Sequence, residues 1–90
     1  MSDSEGWRIV VSRKAEKSLR RLPRDLLDRI AKAIDSLAVE PRPPGCKQLV
    51  GGAFYRLRIG DWRIIYAIKD DRLIVLIVNV APRGSAFQES

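Results

Sequence analysis

The sequence predicts an α+β domain with the element order β-α-α-β-β-β, in which two helices pack on one face of a small, mainly antiparallel sheet. Three observations predict this class: an early β-rich stretch, apolar residues at helical spacing through residues 12–38, and three closely spaced β-rich segments after residue 53. A chain of 90 residues is long enough for one domain. We expect this domain to span residues 1–90, with a frayed N-terminus over residues 1–6 and a short C-terminal tail over residues 82–90.

The N-terminal half predicts one strand and a helical hairpin. Trp7 to Val11 is rich in β-branched residues, and Ser12 can cap the helix that follows. Pro23 suits the first turn of a second helix, where its missing N–H would have no partner. The prolines of Glu40 to Gly45 end this helix, because they cannot continue its hydrogen bonding. The apolar residues at helical spacing are Ala15, Leu19 and Leu22 in the first helix, and Leu26, Leu27, Ile30, Ala31, Ile34, Leu37 and Ala38 in the second.

The C-terminal half predicts a loop and then an antiparallel meander. The loop spans Lys47 to Ala53 and contains two glycines. Gly60-Asp61 suits a two-residue type II′ turn, since glycine supplies the positive φ, and Asp70-Asp71 marks the next turn. The three strands separated by these turns are Phe54–Ile59, Trp62–Lys69 and Leu73–Ala81.

The two-residue turn also predicts which side chains share a face, because strand side chains alternate between the two faces. One face is apolar, and we expect the helices to cover it. We therefore assign its two tyrosines and its tryptophan to the core, not to catalysis or base stacking. The opposed pairs on this face are Ile59 with Trp62, Leu57 with Ile64, and Tyr55 with Tyr66.

The other face of the same hairpin collects arginines. Arg58 is expected opposite Arg63, and Arg56 opposite Ile65. Like charges opposite one another destabilise a sheet, although arginine stems can cover apolar surface while their charged groups stay in water. Solvation of the side chain accounts for one arginine on this face but poorly for three together. The clustering therefore favours a binding surface. The planar guanidinium group suits phosphate.

Composition narrows the possible functions. Seventeen Lys and Arg against eleven Asp and Glu give a net charge of +6, which favours an anionic partner such as nucleic acid, a membrane surface or an acidic protein. The chain has no histidine and one cysteine, which excludes histidine catalysis and a zinc cluster, and we expect no cofactor or metal. The lone Cys46 and the polar N-terminus indicate a cytoplasmic protein. The longest apolar run, Leu73 to Val78, is too short to span a bilayer.

The stretch YRLRIGDWRIIY, from Tyr55 to Tyr66, together with the later Arg83, resembles the RelE/ParE superfamily of toxins of type II toxin–antitoxin systems. The resemblance extends to the early strand, LPRDLLDRI, KQLVGGAF and the last strand, and it is greater to the RelE branch than to the ParE branch. It implies the RelE-like microbial RNase-type fold. It also implies a ribosome-dependent mRNA endoribonuclease that inhibits translation by cutting mRNA in the A site.

The resemblance also implies site residues and partners. Arg56, Arg58, Arg63 and Arg83 match the basic residues that hold the scissile phosphate and stabilise its transition state. The implied partners are a RelB-like antitoxin with an acidic-amphipathic segment, the ribosome and mRNA, with a toxin–antitoxin hetero-oligomer and no membrane. A second cationic set is expected to bind RNA: Lys14, Lys17, Arg20, Arg21 and Lys47. Its helical members, together with Arg24, could contact ribosomal RNA or could form only a solvated helix face.

Two positions depart from the pattern of many relatives. Pro82 stands where they carry histidine, and Phe87 stands where they carry the tyrosine assigned to general-base work. A phenyl ring cannot accept a proton, and arginine is a poor base. Two alternatives to the nuclease therefore remain: a toxin of the same fold that blocks another target such as DNA gyrase, and an antitoxin-binding module with weak or lost catalysis.

Overall fold

A computed structural model of the protein describes residues 6–82, in which two helices pack on one face of a five-stranded sheet. The sheet order is β1-β5-β4-β3-β2; β1 and β5 are parallel, and every other neighbouring pair is antiparallel. The predicted α+β class and the mainly antiparallel sheet are confirmed. The elements are β1 (Arg8–Val11), α1 (Arg13–Arg20), α2 (Arg24–Leu37), β2 (Lys47–Gln48), β3 (Tyr55–Ile59), β4 (Trp62–Lys69) and β5 (Ile74–Pro82).

The starts of the two helices are fixed differently. The Ser12 hydroxyl accepts a hydrogen bond from the Ala15 N–H at 3.0 Å, which confirms the predicted cap of α1. The prediction that Pro23 lies in the first turn of α2 is wrong by one position. Its ψ of 152° is extended, so it is the cap residue, and its carbonyl accepts the first helical bond from the Leu27 N–H at 2.9 Å. Neither helix within residues 6–82 is long and apolar enough to cross a membrane.

The predicted loop from Lys47 to Ala53 is wrong at its start, where Lys47–Gln48 forms β2. Lys47 pairs with Arg56, and Gln48 pairs with Tyr55. Two residues are too few to show strand alternation, so only the pairing with β3 defines this strand. Gly51 and Gly52 then reverse the chain with positive φ angles of 96° and 78°.

Three further boundaries differ from the prediction. Phe54 precedes β3, and the turn after β4 spans residues 70–73, so Leu73 lies in the turn with a φ of 55°. Pro82 is not the first residue of a tail but the last residue of β5, where it pairs with Trp62. The turn residue Gly60 has a φ of 61°, and Asp61 does not have a positive φ. Both observations agree with the predicted type II′ turn, which needs a positive φ only at its first central residue.

The core lies between the helices and the face of the sheet that they cover. Its buried members are Ala15, Ile30, Ile34 and Leu37 from the helices, and Ile64, Tyr66, Val75, Ile77 and Val80 from the strands. Burying each large aliphatic side chain contributes about 1.5–3 kcal/mol, so this layer supplies most of the stabilisation of the sheet. Tyr55 and Trp62 are partly buried at its margin. The predicted core assignment of these two aromatic residues and of Tyr66 is confirmed.

Candidate active site on the outer face of the sheet

The face of the sheet turned away from the helices, here called the outer face, carries the arginines of the central hairpin. Arg58 pairs with Arg63, and Arg56 pairs with Ile65, which confirms the predicted register. Directly opposed residues share a face, and the pairs on the covered face belong to the core. The three arginines therefore lie together on the outer face, while their catalytic role remains a prediction.

The pairing of β2 adds a fourth cation to this surface. Lys47 pairs with Arg56, and Arg56 pairs with Ile65, so these residues form one row across three strands. The next row contains Arg58 and Arg63. Neighbouring strands lie about 4.8 Å apart, which brings these side chains within reach of one phosphate backbone. We call Lys47, Arg56, Arg58 and Arg63 the cationic patch.

No carboxylate neutralises the cationic patch within residues 6–82. The two ion pairs in this part of the chain, Arg20 with Glu16 at 3.9 Å and Arg42 with Asp70 at 3.1 Å, do not involve the patch. The Nε of Arg63 is buried and has no hydrogen-bond partner in this described part of the chain. A buried polar group without a partner costs about 1–3 kcal/mol, and more when it is charged. The patch is therefore costly to the free protein, and an anion would relieve that cost.

Buried apolar side chains lie beside these cations. Ile65 is 3 % exposed and Ala67 is 4 % exposed, although they alternate with the core residues Ile64 and Tyr66 and so belong to the outer face. Electrostatic interactions are stronger beside apolar surface than in open water, because the local dielectric constant is lower. An anion bound here would interact strongly with the flanking guanidinium groups.

The structure separates most of the second cationic set from the patch. Lys14, Lys17 and Arg20 are exposed on α1, and Arg21 is exposed at its C-cap, so all four belong to the helical layer on the other side of the sheet. Lys47 alone of this set joins the outer face. Arg83 and Phe87 lie outside the described residues. The predicted frayed N-terminus, residues 1–6, also lies outside them except for Gly6.

The tyrosines of the hairpin have structural contacts on the covered face. Tyr66 is fully buried, stacks on Tyr55 with ring centroids 5.8 Å apart, and donates a hydrogen bond to the Pro41 carbonyl at 2.8 Å. Burial, and then the neighbouring Cys46 thiol, raise the pKa of Tyr66 above its ordinary range. Tyr66 therefore keeps its proton and is not a base for chemistry on the outer face.

Sequence analysis did not foresee the role of Arg42, which joins the proline-rich loop to the sheet. Its guanidinium lies 5.4 Å from the ring centroid of Tyr55, donates to the Tyr55 hydroxyl at 3.3 Å and pairs with Asp70 at 3.1 Å. The hydrogen bond to Asp70, followed by the one to Tyr55, raises the pKa of Arg42. The only hint in the sequence was a single arginine among prolines.

The cationic patch is an open surface, whereas a groove of about 700 Å³ lies at the other end of the sheet. Trp7, Arg8, Arg72 and Ile74 help to line it. Ile74 pairs with Lys69, at the end of β4 remote from Arg63, so the groove is separate from the patch. An extended polyanion binds along a surface and needs no cavity, and we therefore assign the candidate site to the patch. Within residues 6–82, no group of three His, Cys, Asp or Glu residues could hold a metal ion.

The fold and the cationic outer face define a small toxin of the RelE/ParE superfamily. The chain belongs to the family described as the ParE toxin of the type II toxin–antitoxin system parDE, which it matches over residues 9–87. The expected superfamily is thus confirmed. The protein is a toxin of a type II toxin–antitoxin system.

Individual relatives carry RelE names. The chain is 28 % identical over 86 residues to the candidate toxin RelE1 of Methanocaldococcus jannaschii, covering 91 % of this chain and 96 % of the relative. A chain in the crystal structure of the archaeal RelE–RelB complex from Pyrococcus horikoshii is 30 % identical, with a TM-score of 0.80 and coverage of 90 % and 99 %. A chain of the RelBE2 toxin–antitoxin complex from Mycobacterium tuberculosis is 25 % identical, with a TM-score of 0.78 and coverage of 87 % and 99 %.

Proposed function

We propose that this toxin is a ribosome-dependent endoribonuclease that inhibits translation by cutting mRNA in the ribosomal A site. The observation that carries the proposal is the convergence of Arg56, Arg58 and Arg63 on one face, without a carboxylate partner in residues 6–82. The buried Nε of Arg63 has no partner within residues 6–82, and a bound anion would satisfy this donor. The similarity to proteins named RelE supports this branch of the superfamily.

In the proposed reaction the 2′-hydroxyl oxygen attacks the adjacent phosphorus, and the bond from phosphorus to the 5′-oxygen breaks. The 2′-hydroxyl loses a proton to a base, and the leaving oxygen gains one. The arginines bind the phosphate oxygens and stabilise the additional negative charge of the transition state. Their protons are held too tightly for base catalysis, so another group accepts the 2′-hydroxyl proton. Arg83 would contribute a further cation beyond β5.

The proposed partners are a RelB-like antitoxin and the ribosome with its mRNA. The similar chains from P. horikoshii and M. tuberculosis were crystallised in toxin–antitoxin complexes. An acidic antitoxin segment would neutralise the cationic patch. The proposed toxin–antitoxin hetero-oligomer forms in the cytoplasm, where the free toxin would act on translation.

One sequence feature favours a second function of the same fold. Pro82 and Phe87 replace the histidine and tyrosine of many relatives, and neither residue can exchange a proton through its side chain. A toxin that binds its target without cutting RNA would need the cations but not these groups. This alternative includes a gyrase-directed toxin and an antitoxin-binding module.

A ribosome-dependent cleavage assay tests the nuclease proposal. Arg63→Ala should lower the cleavage rate about a hundred- to thousand-fold, because losing one preorganised donor to a transition-state oxyanion costs about 3–4 kcal/mol. Lys32→Ala is the control: it removes one charge from α2, at a residue of neither cationic set, and should retain activity. Primer extension on the mRNA locates new 5′ ends. Equal rates for wild type and Arg63→Ala would refute the site, whereas growth arrest without cleavage would favour the second function.

A further inference from the structure

Asn79 is a polar residue in the otherwise apolar strand β5, and the structure places it in a row with the cationic patch. It pairs with Ile65, and Ile65 pairs with Arg56 on its other side. Asn79 therefore lies on the outer face, two strands from Arg56. The Arg58–Arg63 row is adjacent. Asn79 is half-buried, so its position is defined and its side chain still reaches solvent.

The orientation of the Asn79 amide follows from its one hydrogen bond. Its Oδ1 accepts from the Val80 N–H at 3.0 Å. A backbone N–H can bond only to the oxygen of the amide, so the oxygen and nitrogen positions are determined. One lone pair of Oδ1 is thus engaged, and the two N–H donors of Nδ2 have no partner within residues 6–82. The side chain presents donors to the outer face.

A β-bulge next to Asn79 sets its position. Ile65 pairs with Asn79 while Tyr66 pairs with Ile77, so Val78 is an extra residue in β5. The Ser12 hydroxyl donates to the Val78 carbonyl, and the Ser12 N–H donates to the Ile77 carbonyl, both at 2.9 Å. The bulge is therefore tied to the start of α1. Bulges of this kind redirect side chains and occur preferentially beside active sites.

We infer that Asn79 is a specificity-determining residue that binds the base of a nucleotide whose phosphate lies on the cationic patch. This inference rests on the proposed binding of RNA. Phosphate contacts position a nucleic acid, and contacts to base edges read its sequence. In the row from Arg56 to Asn79, the guanidinium binds the phosphate and the apolar Ile65 lies beneath the nucleotide. The amide then presents its two free N–H donors to the base edge.

The chemistry of the amide selects the base. Two free donors, beside an oxygen that already accepts one hydrogen bond, favour an edge that presents acceptors, such as N7 and O6 of guanine, over an edge that presents a donor, such as N4 of cytosine. One such contact discriminates between bases by roughly 5- to 150-fold. Wild-type protein is therefore expected to bind and cut preferentially where guanine occupies this position.

Asn79→Asp tests the inference with little change of shape. The aspartate can still accept from the Val80 N–H, but it replaces the two donors by an acceptor. Base preference should move from guanine towards cytosine by at least about fivefold, both in the cleavage profile on ribosomes and in the affinity for short RNA strands that differ at one base. Gln48→Glu is the matched control: it makes the same amide-to-carboxylate change at a residue paired with Tyr55, on the covered face. It should leave the preference unchanged.

The two readouts separate this inference from the proposed function. Absence of cleavage by wild type, together with base-selective binding that Asn79→Asp alters, would refute the nuclease and support the reading of a base by Asn79. Cleavage by wild type with the same base profile in Asn79→Asp would refute the inference and leave the nuclease intact. If Asn79→Asp does not fold, Asn79→Ala removes the donors without adding charge, and an unchanged profile in that variant is equally decisive.

Discussion

Arg58 and Arg63 show a conflict between stability and binding at the scale of single residues. They are directly opposed on neighbouring strands, where like charges destabilise a sheet. Lys47 opposite Arg56 repeats the arrangement one row away. A sequence selected only for stability would place an acid or an apolar residue in each pair. Two like-charged pairs in adjacent rows therefore favour the proposed binding of an anionic ligand.

Removing one charge from the opposed pair should stabilise the free protein. Arg58→Gln abolishes the repulsion with Arg63 and should raise the free energy of unfolding by a few tenths of a kcal/mol to about 1 kcal/mol. Urea denaturation at low salt measures this change. Lys32→Gln lowers the net charge equally, but Lys32 lies one helical turn from Asp28 and Asp35, so its loss should destabilise slightly. A stability loss in Arg58→Gln as large as that in Lys32→Gln would contradict the argument.

Tyr66 should make the protein sensitive to alkali. Its pKa in the folded protein is raised, chiefly by burial, above the value of about 10 for an unfolded tyrosine. Its contribution to stability is therefore complete below about pH 10 and is lost as the pH rises towards the folded pKa, because the unfolded chain releases its proton first. Tyr66→Phe should reduce the loss of unfolding free energy between about pH 8 and about pH 11.

The same substitution removes the hydrogen bond to Pro41, so Tyr66→Phe should be less stable than wild type by about 1 kcal/mol near neutral pH. The control is Tyr55→Phe, whose lost hydroxyl instead accepts a hydrogen bond from Arg42. It should keep the alkaline loss of stability. Equal pH profiles for Tyr66→Phe and wild type would show that another group controls alkaline unfolding.

At the scale of elements, the turn between β4 and β5 contains a strained residue. Leu73 has a φ of 55°, in the left-handed region that costs a residue with a side chain about 1–2 kcal/mol. It is 55 % exposed, so its burial offsets little of this cost. The strain is tolerated because the Leu73 carbonyl accepts from the Arg8 N–H at 2.9 Å and so joins the turn to β1.

Leu73→Asn should therefore stabilise the protein. Asparagine adopts the left-handed conformation more readily than leucine, and the free energy of unfolding should rise by roughly 0.5–1 kcal/mol. Thermal unfolding followed by circular dichroism measures the gain. Leu73→Ala is the matched control, because it shortens the side chain without making this conformation easier. If both variants shifted the melting temperature equally, loss of apolar surface and not relief of strain would be the cause.

Some secondary-structure elements could be predicted from the sequence and others could not. The β3–β4 hairpin was predicted with its register, because a two-residue turn leaves one pairing and the alternation of side chains assigns both faces. β2 was missed because two residues have no alternation. The bulge at Val78 was missed as well, since nothing local in an apolar strand marks an extra residue. Its cause is the distant contact with Ser12.

For the whole molecule, the sequence predicted which cations share a strand face but not how separate elements combine. Arg56, Arg58 and Arg63 were grouped correctly because one hairpin carries them all. Lys47 joined them through the short β2, and Asn79 through the pairing of β4 with β5. Such neighbours depend on sheet order, which local patterns do not encode. The role of Arg83 stays a prediction from resemblance.

The two cationic surfaces of the molecule should differ in their contribution to RNA binding. For a single strand, the logarithm of affinity falls with the logarithm of salt concentration with a slope of about −0.7 for each phosphate neutralised. Arg63→Ala removes a cation from the outer face and should reduce the magnitude of this slope by about 0.7, as well as weaken binding at low salt. Fluorescence anisotropy with a short labelled RNA, measured across a salt series, gives both quantities.

Lys17→Ala provides the comparison, because it removes one charge from the helical layer and leaves the outer face intact. Both variants lose the same net charge. If RNA binds along the cationic patch, only Arg63→Ala changes the slope. Equal slopes in the two variants would mean that RNA responds to the overall charge of the protein and not to a defined surface. A reduced slope for Lys17→Ala alone would place RNA on the helices and leave the outer face to a protein partner.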